Sequence, residues 1–481
     1  MTATRIVPAL LLVLAALAWG SGPAAAQAPG DDLLQGFQEA KPPGASPGEG
    51  GDLLGGFEEL KPLTAEPTAA EPTAPSLWAL NGFARLDGAY NYAHEAPPPG
   101  ETDWRGLSKL RATLQLELSV DLPARWRAFV SGQASHDFVY ELNGRDEYTD
   151  EVLERNEQEA EFRDVYLAGA LLPRLDLKVG RQIVVWGLSD YIRVVDVLNP
   201  LDQREPGLAD IEDLRLPVTM TRLDYYPEAW NLTAVAVHEI RFNKDPAFGS
   251  DFFPSPQPLP REEVPADGGD NTEWGFAAKG IFSGWDLGFY WARYFDDRAH
   301  LAAQPAGPPR LEHSRLTLGG AAVNVALGNW LLRSEAALVQ GLRFFHGGGD
   351  TWRRVDALVG FEYSGITDAT LGLEVADQHL LDYDPRLRQP PDIALEDVFQ
   401  VAASYRQDFM HQTLQLQALA LLFGERGQRG SLQRVSATYD LRDAVSVSGG
   451  VIVYQPGGDL NPLLQNAKDN DRVFFETRVD F

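Results

Sequence analysis

The sequence runs to 481 residues, with a net charge of −28, no cysteine, 45 glycines and 33 prolines. The lack of cysteine excludes disulfides and a lipid-modified N-terminal cysteine, and the negative balance argues against nucleic acid as a partner, because phosphates would be repelled. A chain of this length usually divides into two or three soluble domains, but aromatic-rich segments without helical periodicity fit one large all-β body better.

In chain order, Arg5 precedes an apolar run from Ile6 to Trp19, and Ala24-Ala25-Ala26 supplies a small-residue cleavage site. Residues 1–26 therefore read as a secretory signal, since the run is shorter than the ~20 residues of a spanning helix. Residues 27–75 are rich in proline, alanine, glycine and glutamate, as in PLTAEPTAAEPTAP. They are too polar to bury a core, and the expectation is a disordered periplasmic tail. Inside the tail one pattern occurs twice, DDLLQGFQEAKPP at 31–43 and GDLLGGFEELKPL at 51–63. Leu33, Leu34 and Phe37, and again Leu53, Leu54 and Phe57, place three apolar anchors on one face of a helical turn. Two such docking motifs on one flexible linker raise avidity for a periplasmic or inner-membrane partner. A duplicated spacer and a tail that plugs the barrel are the alternatives.

From residue 76 to 481 the pattern changes to alternation of period two. SKLRATLQLELSV at 108–120 is the clearest case, and 354–363, 369–376, 413–422, 434–440 and 445–453 repeat it. Short turns take turns with longer polar segments near 95–105, 141–161, 187–215, 242–270, 297–312, 341–350, 379–395, 424–430 and 455–469, the asymmetry of an outer-membrane barrel. The expectation is a transmembrane antiparallel β-barrel of 18 strands, with 16 as the alternative count because 217–240 and 313–327 alternate poorly. Aromatics including Trp274, Trp291, Trp330 and Trp352 fall near strand ends, as interfacial girdles require. The final stretch FFETRVDF puts Phe475, Val479 and Phe481 on an apolar face. It reads as a closing strand paired with the one near 78–92 and as the signal for outer-membrane assembly machinery.

The inward positions mix signs. Lys109, Arg111, Glu117, Arg354, Asp356, Glu362 and Arg478 are expected to line the lumen, a balance that permits ion-pair ladders without clean ion selectivity. The segment 141–161 holds nine acidic residues against two basic ones; it reads as solubilising charge or as a contact to lipopolysaccharide through cations, although no spacing matches a calcium loop. No metal site or cofactor is expected. The eight histidines form no paired motif and there is no G-x-S-x-G; His136-Asp137 and Asp377/His379 are catalytic candidates by proximity alone, so the reading is non-enzymatic, with a barrel hydrolase as a remote alternative.

The most distinctive stretch is VGRQIVVWGLSDYIRVVDVLNPLD, 179–202. It resembles the signature of a large, mostly uncharacterised family of Gram-negative outer-membrane barrel proteins catalogued as a domain of unknown function. There a strand reading Gly-Arg-Gln-x-Val-x-Trp-Gly leads to an Asn-Pro-x-Asp element. The matching positions are Gly180, Arg181, Gln182, Val184, Trp186 and Gly187, then Asn199, Pro200 and Asp202; Leu188 departs from the polar residue the pattern favours. The resemblance implies a porin-like barrel associated with exporters of hydrophobic compounds or lipids. The residues themselves predict that 187–215 folds inward as a constriction, against a loop that merely rises outside. By strand parity Arg181 faces lipid, so a bulge at Gly180 is expected to turn it inward or into the loop beneath. The function that fits is an outer-membrane channel or export component moving small or hydrophobic solutes, docked through the tail; a passive diffusion porin is the alternative. Outer-membrane lipid and lipopolysaccharide are the expected surroundings.

Overall fold

The computed structural model describes residues 77–481 apart from 99, 210, 305–306, 458–463 and 466. The tail and both repeat copies lie outside the described residues.

Eighteen antiparallel strands form one closed sheet. They are β1 (Trp78–Asn91), β2 (Gly106–Leu122), β3 (Trp126–Asp137), β4 (Gln158–Leu172), β5 (Leu175–Gln182), β6 (Val218–Tyr225), β7 (Trp230–Val237), β8 (Glu273–Phe282) and β9 (Trp285–Phe295). The second half is β10 (Arg315–Leu327), β11 (Trp330–Leu342), β12 (Trp352–Ile366), β13 (Ala369–Leu381), β14 (Asp397–Phe409), β15 (Leu414–Phe423), β16 (Ser431–Arg442), β17 (Val445–Gln455) and β18 (Arg472–Asp480). Each strand pairs with its sequence neighbours, and β18 closes on β1 with Phe83 opposite Asp480 and Asn91 opposite Arg472. Gly82 and Phe481 exchange two backbone hydrogen bonds at the seam, 2.8 and 2.9 Å. A ring leaves no unpaired edge, which is the condition for a sheet to sit in lipid.

The alternation seen in the sequence maps onto the two wall faces. On β2, Leu114 and Leu116 are 44% and 42% exposed on the outside, whereas Thr113, the residue before Leu114, is 4% exposed within. Outward Trp274, Trp291, Trp330, Tyr439 and Phe475 join the apolar outer surface, as do Val479 and Phe481. Trp352 does not belong to that girdle: it lies on the inward face of β12, buried beside Phe344. Its distance from a strand end said nothing about its parity.

Turns of two to four residues join the strands at one end of the barrel. At the other end the connections are long, reaching their greatest length at 183–217 and 238–272. Of the four strands flanking these two, β5, β6 and β7 have eight residues each and β8 has ten, against seventeen in β2. Their weak alternation has a physical cause. Val218, Met220, Val235 and Val237 point inward yet are apolar and at most 1% exposed, because something other than water fills the lumen beside them.

Candidate lumen constriction

What fills it is the segment 183–217. Its entry is set by the end of β5. Gly180 has φ +128°, and a Cβ there would lie 2.1 Å from the carbonyl oxygen of Val165, so no side chain fits. The register runs unbroken through Gly180 against both β4 and β6, so the expected bulge is absent. Arg181 instead keeps its outward parity and pairs with Glu239 at 3.0 Å, while Glu239 also accepts from the backbone N–H of Thr219 at 2.9 Å. The irregularity sits across the sheet, where His238 and Glu239 both donate to the Thr219 carbonyl. Parity alone had forbidden this position because a cation at mid-bilayer costs roughly 2–4 kcal/mol, but the cost falls to ~0–1 kcal/mol near the interface. Arg181 is next to the last residue of β5.

Beyond Gln182 the chain leaves the sheet and its backbone needs new partners. Asn199 supplies them. Its Oδ1 accepts from Val184 N–H at 2.8 Å, and its Nδ2 donates to the carbonyls of Leu216 at 2.9 Å and Gln182 at 3.3 Å. The side chain thus bridges the two ends of the segment and is fully buried. Gln182, also fully buried, donates to the Met220 carbonyl at 3.3 Å. The Pro200 carbonyl accepts from Leu216 N–H at 2.8 Å, and Asp202 N–H donates to Leu214 at 2.7 Å, while the Asp202 carboxylate pairs with Arg204. Asp196 accepts from Trp186 N–H at 3.2 Å and from Arg215 Nε at 3.0 Å. Gln182, Trp186, Asn199, Pro200 and Asp202 therefore form a fastening that folds one long connection back on itself.

Trp186 turns its ring inward against Tyr290, 5.4 Å between centroids, and over Gly275, where a Cβ would be 2.7 Å from the ring. Ile192, Val194, Val195 and Leu198 follow it against the inward faces of β6 to β10. Two wall carboxylates then catch the backbone. Glu335 on β11 accepts from the N–H groups of Leu188 and Ser189. Glu374 on β13 accepts from Ser189 Oγ at 2.8 Å and from the N–H groups of Asp190, Tyr191 and Ile192 at 2.8, 3.1 and 3.2 Å. Gly187, at φ +84°, lets the chain approach Glu335 closely, since a Cβ would stand 2.8 Å from its carboxylate. Leu188 offers its backbone N–H here, so its apolar side chain costs nothing in this contact. Arg333 closes the group, bound to Asp190 and to Glu362 at 3.1 Å.

The far end of the segment reaches the opposite wall. Glu205 binds Lys109 Nζ at 2.8 Å and Arg111 at 2.9 Å, both on β2, and the Pro206 carbonyl accepts from Tyr454 Oη on β17 at 2.6 Å. β2 and β11 are nine places apart in an eighteen-strand ring, so the segment crosses the lumen. Burial alone would raise the Glu205 carboxyl; Arg111 and Lys109 outweigh it and hold the group well below the usual carboxylate range. The connection 238–272 crosses beside it: Lys244 binds Glu159 and Glu161 on β4, and Asp251 binds Arg472 on β18 at 2.7 Å.

Of the lumen residues read from the sequence, Lys109, Arg111 and Glu362 belong to this arrangement. Arg354 with Asp356 (2.6 Å) and Arg478 with Asp480 (2.9 Å) form pairs along one strand each, and Glu117 accepts from Gln115 at 2.7 Å. The histidine candidates stand apart: His136 is 3.4 Å from Glu141 and His379 is 2.7 Å from Asp397. Glu335 was not picked out in the sequence. Its signal was there in LLRSEAALVQ, where Glu335, two residues from Arg333, interrupts an inward face that is apolar at Leu331, Ala337 and Val339.

Among solved structures the barrel is similar to Acinetobacter baumannii OccAB3, at TM-score 0.50 and 11% identity over 84% of this chain and 99% of that one. OccAB2 from the same organism gives TM-score 0.50 and 10% identity over 84% and 98%. A BenF-like porin from Pseudomonas fluorescens Pf-5 gives 0.49 and 9% over 84% and 97%. At these identities the likeness is one of fold, an outer-membrane barrel of porin type. Comparison with curated proteins found no match. Residues 87–481 match the family described as a protein of unknown function, DUF1302, and the chain belongs to that family.

Proposed function

We propose that the protein is an outer-membrane channel with a loop-crossed, narrowed lumen, selective for small or hydrophobic solutes and coupled through its tail to a periplasmic or inner-membrane exporter. The observation that carries the channel reading is the segment 183–217, tied to Glu335 and Glu374 on one wall and to Lys109 and Arg111 on the other. A wide diffusion pore would not spend buried carboxylates on holding a loop across its own path. In this reading the long connections face outward and the short turns face the periplasm, which places both ends of the barrel beside the tail. The paired apolar triplets at Leu33/Leu34/Phe37 and Leu53/Leu54/Phe57 support the docking part.

Single-channel recording in planar bilayers tests this, comparing the full chain with a form lacking residues 27–75. Small, equal conductance in both supports a constricted pore with docking motifs outside the lumen. Conductance only without the tail makes the tail a plug, large conductance in both restores the passive porin, and silence in both removes the passive path and directs attention to gated export.

A further inference from the structure

The outer wall carries charge where it should meet lipid. Arg293, Thr317, Gln340 and Arg353 stand directly opposite one another on β9, β10, β11 and β12. Arg293 is exposed and shares the outward face of β9 with Trp291 and Phe289. Arg315, opposite Phe295, lies one diagonal step away on the same face, a separation of ~7–8 Å between such positions. Arg353 is neutralised by Asp382 at 2.8 Å. Arg293 and Arg315 are not: among the described residues no carboxylate lies at ion-pairing distance from either. Arg315 donates to the carbonyls of Thr272 and Asp270 at 3.2 and 3.1 Å and rests over Phe295 at 4.1 Å, which fixes its position without cancelling its charge. Glu273 acts on Arg315 only from beyond ion-pairing distance. In a chain with 69 acidic and 41 basic residues, two cations on the lipid-facing wall without an ion-pair partner call for an external anion.

Their depth agrees. Arg315 is the first residue of β10 and Arg293 is two short of the end of β9, so both sit at headgroup level, where an outward arginine costs only ~0–1 kcal/mol. Directly below, toward the turn end, a groove of about 530 Å³ opens on the outside of β5 to β9. It lies between Phe276, Phe289 and Trp291 on one side and Leu223, Tyr225 and Leu232 on the other. Trp291 is one pleat repeat, ~6.7 Å, from Arg293. Cations at headgroup depth above an apolar groove match an amphiphile with an anionic head and acyl chains.

We propose that this wall holds a phosphorylated glycolipid of the outer leaflet, lipopolysaccharide, with Arg293 and Arg315 on a phosphate and an acyl chain in the groove below. The assignment to the outer leaflet rests on the orientation in the proposed function, with the long connections outside. Guanidinium–phosphate contacts are charge-assisted and geometrically specific, whereas a barrel that merely tolerated a rim arginine would show no lipid preference.

The experiment is lipopolysaccharide retention by the full chain, purified in detergent and measured by native mass spectrometry. The double variant R293Q/R315Q is expected to bind about tenfold more weakly, and R353Q, whose arginine is already paired, to bind as the unaltered protein does. R293Q alone is expected to show a smaller loss in the same direction and serves if the double variant fails to fold, as judged by heat-dependent mobility on gels. Equal retention by R293Q/R315Q, or equal displacement by phosphatidylglycerol, overturns the proposal. The lumen is untouched by these changes, so single-channel conductance should not move; silent channels with intact lipid retention would defeat the channel reading alone. Surface labelling that placed the long connections in the periplasm would remove the orientation and this proposal together.

Discussion

At the long-connection end the barrel interior has two unlike sides. On β6 to β11 most inward positions are apolar, Glu273 and Glu335 apart: Val218, Met220, Val235, Val237, Ala292, Leu316, Leu318 and Val339 are all at most 2% exposed beneath the crossing segment. On β18 and β1 to β4 the equivalent positions are charged: Arg472, Asp87, Lys109, Arg111, Asp137, Glu159 and Glu161. The same segment, 183–217, is therefore attached by two kinds of force. Its near half is held by apolar burial and by carboxylates receiving backbone N–H groups. Its far end is held by ion pairs to Glu205. Apolar burial is insensitive to moderate salt, whereas an ion pair that keeps some contact with solvent, as Glu205 does at 25% side-chain exposure, is weakened by it, though less than a surface pair would be. The difference makes the β6–β13 side a fixed seat and the β2 side a releasable latch.

The largest effect should come from breaking the seat. Glu374→Ala leaves the N–H groups of Asp190, Tyr191 and Ile192 and the Ser189 hydroxyl without their shared acceptor, and losing one partner of a buried charged network costs about 3–5 kcal/mol. We expect the segment to leave the lumen, seen as a several-fold rise in conductance and as new proteolytic cleavage within 187–215. Unchanged conductance would mean the segment does not limit the path. Leu318→Ala removes fully buried volume under the same seat and should cost about 2–4 kcal/mol in a denaturation series, with no change in how conductance responds to salt.

Glu205→Gln acts on the latch alone. It leaves Lys109 and Arg111 without their shared carboxylate, and conductance at low salt should rise to the value the unaltered channel reaches at high salt. Persistence of the original salt dependence would show that the far end is not the releasable one. Acid should imitate the change. The folded carboxyl lies below its ordinary range, so its contribution is complete above about pH 5 and declines as pH falls further.

The barrel was legible in the sequence because lipid outside and polar groups inside impose period two. That pattern failed where the protein replaces luminal water with its own chain. Val218, Met220, Leu316 and Leu318 erase the alternation in 217–240 and 313–327, and the same erasure marks the seat of the crossing segment. The signature Gly180–Asp202 stood out as a motif, and its inward course could be read from Val194, Val195, Val197 and Leu198. Its fastening could not: Asn199 works by bridging backbone groups distant in sequence, and Glu335 and Glu374 meet it from strands more than 140 residues away. Arg181 misled because parity gives the face of a side chain but not its depth in the membrane.

The smallest expected effect tests the border between the two sides. Asp297, in the connection after β9, is enclosed near Arg193 of the crossing segment, with Glu273, Asp296 and His313 around it. Burial pushes its carboxyl up to about 7, offset in part by Arg193 and reinforced by Glu273 and Asp296. A raised folded value means the folded chain keeps a proton that the unfolded chain has released, so this group's contribution falls as pH rises from about 4 to about 7. Asp297→Asn removes that penalty. It should raise the thermal midpoint at pH 8 by a few degrees and leave it nearly unchanged at pH 4, where the carboxyl is neutral in the folded protein. If the substitution instead lowered the midpoint at pH 8, the carboxyl would be ionised in the folded chain, with Arg193 as its ion-pair partner. The crossing segment would then carry an electrostatic tie on its seat side as well, and the division between seat and latch would have to be redrawn through Arg193.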